Sequence, residues 1–280
     1  MWISFMRNRT SAVTAGVIVL MGLAIYTVCR KPGPPPSVSQ TASPSATGTK
    51  RPAAAPNTPL IDEKTANAIA DLVARWDQLQ SFSAAVATDF PQEAAGKPGF
   101  TKGKGTYECA KRGDKLLIRF GLVNNLWIET GEAQRVHTGE RLVFVYDGEF
   151  LYYQLQQPKT LKTTTKSVYE PDRILQFGGR ELFRSLSETS SLKLAGEQMV
   201  DDRAAYVIEA APTTGDGSAV HYFDKQTGAR LKMIERDKDG KDTLTLTLSD
   251  LKANPEFSED YFTYRLPEGF EFVDKTHDEP

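Results

Sequence analysis

Three histidines, two cysteines and one cluster of aspartates are the residues of this sequence whose types could carry catalysis or hold a metal. His137 falls in a stretch that reads as a loop, His221 in a β-type run and His277 in the tail. None stands in an H-E-x-x-H or similar ligand spacing, so they read as ordinary surface or core residues. Cys109 could act as a nucleophile only beside a base that no nearby motif supplies, and the simpler reading is a small buried apolar side chain. The run Asp237-Lys-Asp-Gly-Lys-Asp242 offers three carboxylates and so raises calcium. It lacks the twelve-residue spacing and closing glutamate of an EF-hand, and it sits where a hairpin needs a turn. No G-x-S-x-G elbow, P-loop or dinucleotide fingerprint is present. The expectation is a protein without a catalytic centre, a metal or a cofactor.

The remaining composition narrows the class. Lys plus Arg number 34 against 36 Asp plus Glu, a net charge of −2, and no basic run marks a nucleic-acid footprint. Cys29 lies in an apolar segment far from Cys109, which excludes a disulfide framework within the domain. Stability has to come from an apolar core.

Five segments follow from composition. Residues 1–10 carry Arg7 and Arg9 and read as a cytoplasmic N-terminus. Residues 11–29, SAVTAGVIVLMGLAIYTVC, are uncharged and of a length that spans a bilayer as a helix. An uncleaved anchor is favoured over a cleaved signal, because no small-x-small site ends the run, and over lipidation of Cys29, because Tyr26-Thr27-Val28 is a poor approach to a lipidated cysteine. Residues 30–59 are rich in Pro, Ser, Ala and Thr and form a linker that reaches up to roughly 90 Å at about 3.1 Å per residue. Residues 60–274 are the folded domain and 275–280 a tail.

Within the domain, Thr58-Pro59 signals a helix start, and Ile69, Leu72, Val73, Trp76 and Leu79 recur at helical spacing, so residues 60–80 are expected to form one helix. The pattern then turns to period two. SFSAAVATDF, FTKGKGTYECA and DKLLIRFGL read as strands, the last two separated by a turn at Lys111-Arg112-Gly113. LVFVY-DG-EFLYYQL reads as a hairpin on a two-residue type I′ turn at Asp147-Gly148. After a strand KTTTKSVY comes a second helical region, EPDRILQFGGRELFRSLSE, whose Gly178-Gly179 either ends one helix and starts another or hinges a cover. SLKLAGEQMV, AAYVIEAAP, SAVHYFD, ARLKMIER and DTLTLTLSD are again strands, and the apolar segment YFTYRLPEGFEFV closes the domain.

About ten strands against two helices, joined by short turns, exclude a doubly wound parallel sheet and point to an antiparallel meander. Leu244, Leu246 and Leu248 alternate with Thr243, Thr245 and Thr247, so one face of that strand is greasy. Two modest helices cover only part of such a sheet. Either it closes on itself, or it stays half open with an apolar cavity under a helical cover.

The order of elements and three C-terminal motifs, D-x-x-T-G at Asp224, Thr227 and Gly228, D-x-x-G at Asp237 and Gly240, and F-x-Y-x-x-P-x-G at Phe262, Tyr264, Pro267 and Gly269, resemble the LolA/LolB-type lipoprotein-carrier superfamily of the bacterial envelope. The resemblance covers residues 60–274. It implies an unclosed antiparallel β-barrel, mainly β in an α+β fold, with a helical lid over a cavity for acyl chains of lipoproteins or other lipids. Cavity-lining candidates are then Leu244, Leu246 and Leu248 together with Ile174 and Leu175 of the PDRILQF insertion. An arginine that holds the lid in such carriers best matches Arg119, with Leu117 as the equivalent if the alignment slips by two. Parity sets Arg119 opposite Leu116, Ile118 and Phe120, facing solvent or the cavity. The anchor at 11–29 departs from soluble carriers. The expected function is a non-enzymatic, membrane-anchored binder of lipid or lipoprotein acyl chains on the extracytoplasmic side, for sorting or lipid handling. The alternative is an envelope sensor of the same fold that relays to a protein partner.

Overall fold

A computed structural model of the chain describes residues 61–94, 97–128, 134–157, 161–168 and 176–276. The chain divides into two units, Met1–Pro59 and Leu60–Pro280, and every described residue lies in the second. The expected anchor 11–29 and linker 30–59 lie outside the described residues, as do Ile174 and Leu175. Among the described residues no helix is long and apolar enough to cross a membrane.

The first helix, α1 (Glu63–Asp77), starts at Asp62 rather than at Thr58-Pro59. Asp62 is extended, and its carboxylate accepts from Thr65 N at 2.8 Å and Thr65 Oγ1 at 2.9 Å. This cap satisfies a backbone donor that the helix itself cannot. One face of α1 buries Thr65, Ala68, Leu72 and Trp76.

A meander of six strands follows: β1 (Ser81–Ala94), β2 (Lys97–Arg112), β3 (Lys115–Ile128), β4 (Gln134–Tyr146), β5 (Phe150–Gln157) and β6 (Leu161–Val168). His137 therefore lies within a strand, not a loop. After α2 (Arg180–Thr189) comes a second meander, β7 (Ser190–Val200), β8 (Arg203–Pro212), β9 (Ser218–Asp224), β10 (Arg230–Arg236) and β11 (Asp242–Ala253). β11 pairs antiparallel with β1, and this joins both meanders, with a last strand β12 (Glu271–Asp274), into one twelve-stranded sheet, ordered β12-β6-β5-β4-β3-β2-β1-β11-β10-β9-β8-β7. The sheet is unclosed, with β7 and β12 at its edges, and antiparallel except where β12 (Glu271–Asp274) runs parallel to β6. The C-terminal segment expected to close the domain lies mostly in a strap, residues 254–270, and only Glu271–Asp274 is added as a strand.

Two turns exchange roles relative to expectation. Between β4 and β5 only Gly148 has positive φ (92°), and Asp147 Oδ1 instead accepts from the amides of Glu149 and Phe150 at 3.0 and 2.8 Å. An Asx-capped loop replaces the type I′ turn. The two-residue turn with both φ positive lies between β7 and β8, at Asp201 (45°) and Asp202 (61°), where Val200 pairs with Arg203. Asp237 likewise serves a turn, its Oδ1 accepting from Asp239 N and Lys241 N, each at 2.9 Å.

Gly178 and Gly179 precede α2 and lie flat against Trp76, whose indole ring a Cβ at either position would strike. Their smallness serves close approach, in addition to the positive φ of Gly179 (87°) at the helix start. The core joins Leu72 of α1, Leu182 and Phe183 of α2, and Leu192, Ile208, Ala210 and Phe223 of β7–β9.

Candidate functional site

Strand register sorts the inward residues into rows that run across the sheet. One row passes through Leu248, Val86, Gly105, Leu122, Leu142 and Leu155 on β11, β1, β2, β3, β4 and β5. The leucines of this row are between 1% and 5% exposed. Its neighbour on one side is aromatic: Tyr107, Phe120, Phe144 and Tyr153 stand in register, and the rings of Phe120 and Phe144 lie 5.8 Å apart, those of Phe144 and Tyr153 4.7 Å. Leu246 and Leu248 thus share the face expected of them, and both are buried, while Leu244 is half-buried one step further along the strand.

The helices cover this face unevenly. Trp76 meets Phe82 of β1 at 5.5 Å, Phe177 meets Tyr107 of β2 at 4.3 Å, and the cluster under α1 and α2 holds residues of β7–β9. Among the described residues the apolar rows continue through β3, β4 and β5 beyond those helix contacts. There too the leucines are buried, Leu122 at 1%, Leu142 at 3% and Leu155 at 5% exposure.

Polar groups interrupt it at chosen places. The row beyond Leu248 holds Leu246, Thr88, Gly103, Asn124 and Glu140, and continues on the other side through Met233 to His221. Glu140 accepts from Gln157 Nε2 at 3.1 Å. Thr88, Asn124 and His221 are 5%, 2% and 2% exposed, and among the described residues Thr88 Oγ1, both side-chain polar atoms of Asn124 and both ring nitrogens of His221 have no hydrogen-bond partner. Burial, with the Arg230 charge adding to it, lowers the His221 imidazole to about 3, so it is neutral at physiological pH. Arg230 is 6% exposed and lies over the Phe177 ring at 5.3 Å; burial lowers it to about 10, which still leaves it charged. Its main-chain N–H donates to Phe177 O at 2.5 Å, so this arginine touches the segment leading into α2. Glu235 stands exposed on the same face, and the surrounding protein still raises its carboxyl.

Arg119 lies elsewhere. It is on the opposite face of the sheet from the helices, as is Leu117, and neither meets the leucines of β11. It does not point to open solvent either. The strap 254–270 crosses that outer face, where Phe262, Phe257 and Tyr261 pack on Ala110 and Leu117, and Arg119 Nη1 donates to Tyr261 O at 3.3 Å. Glu108 lies close by, its carboxyl raised by burial and pulled down in part by Thr106 and Arg119. Between strap and sheet opens a cleft of about 590 Å³, lined among others by Arg119, Arg141, Gln154, Tyr261 and Tyr264. Tyr264 is fixed there by stacking on Tyr152 at 4.5 Å and by a 2.6 Å hydrogen bond with Thr164.

Cys109 is buried, and its thiol is pushed up to about 12 by burial, which removes the thiolate that nucleophilic chemistry needs. Among the described residues no three His, Cys, Asp or Glu side chains gather as metal ligands. The sequence reading missed Thr88, Asn124 and Arg230, and took the strand histidine His221 for an ordinary surface or core residue. The inward placing of Thr88, Asn124 and His221 was detectable, since each is a polar residue in phase with apolar ones: Thr88 with Val86, Asn124 with Phe120 and Leu122, His221 with Phe223.

No protein-family model and no curated protein matches the chain. Solved structures do resemble it in fold at low identity. MucB in its complex with MucA from Pseudomonas aeruginosa is 17% identical with a TM-score of 0.40, the match covering 72% of this chain and 61% of MucB, less than two thirds of that protein. An uncharacterized conserved protein from Thermus thermophilus is 15% identical at a TM-score of 0.45, covering 75% and 99% of the two chains. A putative outer membrane lipoprotein-sorting protein domain from Vibrio parahaemolyticus is 13% identical at 0.37, covering 72% and 97%.

Proposed function

We propose that residues 60–274 form a non-enzymatic lipid-binding domain of the cell envelope, in which a half-barrel sheet under a helical lid takes acyl chains of lipids or lipoproteins. The observation that supports this most is the apolar face itself, whose rows run through β3–β5 past the helix contacts among the described residues. The face is buried within the chain, and an acyl chain would take the place of its cover once the lid opens. The apolar run 11–29 and the linker 30–59 give the domain a membrane anchor and a reach across the envelope, facing the extracytoplasmic side. In this reading the domain hands lipid over from a fixed base and does not shuttle freely. The lid contact formed by Arg230 and Phe177, with Gly178-Gly179 behind it, is where opening would begin. The test is native mass spectrometry of the full chain purified from bacterial membranes. Lipid that co-purifies and is displaced by an apolar dye supports the reading; an empty protein that binds no dye refutes it.

The outer-face cleft favours a second reading, an envelope sensor whose partner docks on the strap. Its arginines, Arg119, Arg141 and Arg265, and its tyrosines suit an acidic peptide better than a hydrocarbon chain. Crosslinking in intact envelopes from a probe at Arg141 captures a protein under this reading, and still does so when Leu246 and Leu248 are enlarged.

A further inference from the structure

The outer face of the sheet carries an open groove beside the strap. Register aligns Lys104, Val123, Arg141, Gln156 and Lys162 across β2 to β6, on the same face as Arg119. The row next to them, Thr106, Gly121, Val143 and Gln154, separates them from the row of Arg119 and Tyr152, over which the strap crosses with Tyr261 and Tyr264. This middle row is low on β3, where a Cβ at Gly121 would meet nothing within 4 Å. The cleft of about 590 Å³ opens beside it, with Val143 and Gln154 below, Arg141 on one side and Tyr261 and Arg265 of the strap on the other. The charges of the groove are uncompensated. No carboxylate stands in either row, and among the described residues Lys104, Arg141 and Lys162 have no ion-pair partner. Other outward cations nearby do have one: Lys102 meets Asp89 at 3.5 Å, Lys166 meets Asp274 at 3.9 Å, and Arg265 meets Asp260 at 2.7 Å.

We infer that this groove binds an extended acidic segment of a protein partner, with a carboxylate at every third residue. This rests on the sensor reading above and adds what the partner's segment must carry. Lys104, Arg141 and Lys162 sit on β2, β4 and β6, so successive cations are two strands, or about 9.6 Å, apart. A chain in the polyproline II conformation returns a side chain to the same side every three residues, about 9.3 Å. A chain in β conformation does so about every 6.7 Å and falls out of step with the cations. Between the cations the row offers Val123, 42% exposed, and the amide of Gln156, which suit an apolar and a polar neighbour of the carboxylates. The recess favours a peptide over a lipid surface: Arg141 lines a cleft walled by the strap, which a single extended chain can enter and a flat bilayer cannot. The partner's segment therefore lies across the strands, parallel to the strap, with its acidic side toward the cation row.

The test measures binding of two fluorescent polyproline peptides to the full-length chain held in a nonionic amphipathic polymer at low salt. Both carry three glutamates, one at every third residue and the other in a single run, so their charge is equal. The spaced peptide is expected to bind about tenfold more tightly, the order expected when two further exposed charge pairs form. Arg141→Gln removes the middle cation and brings the two peptides to within about twofold of each other. Gly121→Phe fills the middle row where space is open, leaves the thermal midpoint and the binding of an apolar dye unchanged, and abolishes the preference. Equal binding of the two peptides by the parent, or an undiminished preference in Gly121→Phe, overturns the groove. Phosphatidylglycerol vesicles that bind the parent more tightly than the spaced peptide does, and lose that binding in Arg141→Gln, assign the face to lipid and overturn it as well. The probe at Arg141 in intact envelopes tests the sensor reading separately. A protein captured there without any spacing preference keeps the sensor and strikes the groove; no captured protein strikes both.

Discussion

His221 offers a direct reading of how dry the inner face is. It stacks near Phe223 with ring centroids 6.0 Å apart, is 2% exposed, and keeps both nitrogens unpaired among the described residues. Its pKa falls from 6.5 to about 3 in the folded protein. A depressed folded pKa contributes stability that is complete above 6.5 and is lost as pH falls toward 3, because the unfolded chain takes up the proton first. Between pH 6.5 and about pH 4.5 the native imidazole stays neutral, so the unfolded-state value alone sets the loss, about 2.7 kcal/mol at 1.36 kcal/mol per unit. Urea unfolding of the parent and of His221→Leu at about pH 7.5 and about pH 4.5 isolates this share, since all carboxylates titrate alike in both. The variant is expected to be at least as stable as the parent at the higher pH, having lost two unpaired nitrogens. It is expected to lose about 2.7 kcal/mol less on acidification. Equal acid losses in the two proteins would refute the reasoning, for they would mean that water or a donor reaches the ring.

Three further outcomes are expected. Asp224→Asn breaks a carboxylate that is 2% exposed and bonded to Arg203 at 2.7 Å and to Thr227 N and Oγ1 at 3.0 and 2.6 Å; roughly 2–4 kcal/mol of stability is lost, read as a lower thermal midpoint. Gly178→Ala drives a Cβ into the Trp76 ring and costs about 1–3 kcal/mol, and the cost shrinks in a Trp76→Phe background because the two residues share one contact. In a Cys29→Ser background, Cys109 stays unmodified by thiol reagents at neutral pH until urea unfolds the protein, because its thiol is pushed up to about 12.

Alternation makes the sheet legible. DTLTLTLSD places Leu246 and Leu248 on the buried face, and period-two runs mark most strands, because an antiparallel strand with unlike faces writes its geometry into every second residue. What alternation cannot say is what lies over the other face. Parity offers Arg119 only solvent or cavity, because the strap 254–270, which covers it from more than a hundred residues away, has no periodic signal. Turn chemistry misleads at Asp147-Gly148 because aspartate satisfies a loop by side-chain capping as readily as by positive φ, and Asp201-Asp202 takes the type I′ geometry without a glycine. Thr88 and Asn124 escape notice because an isolated polar residue in a strand reads by default as surface. Their phase with Val86 and with Phe120 and Leu122 hints at the inner face, and the register, which sets both beside Gly103 in one row, establishes it.

The most direct test of the central claim is photo-crosslinking with a fatty-acyl probe bearing a diazirine at its chain end, applied to the full chain in membranes and mapped by peptide mass spectrometry. Label on inward residues of the leucine row and its neighbour, Val86, Leu122, Leu246 and Leu248, is the predicted result. Label confined to the outer-face cleft beside Arg119 and Tyr261, or to residues 11–29, would contradict it.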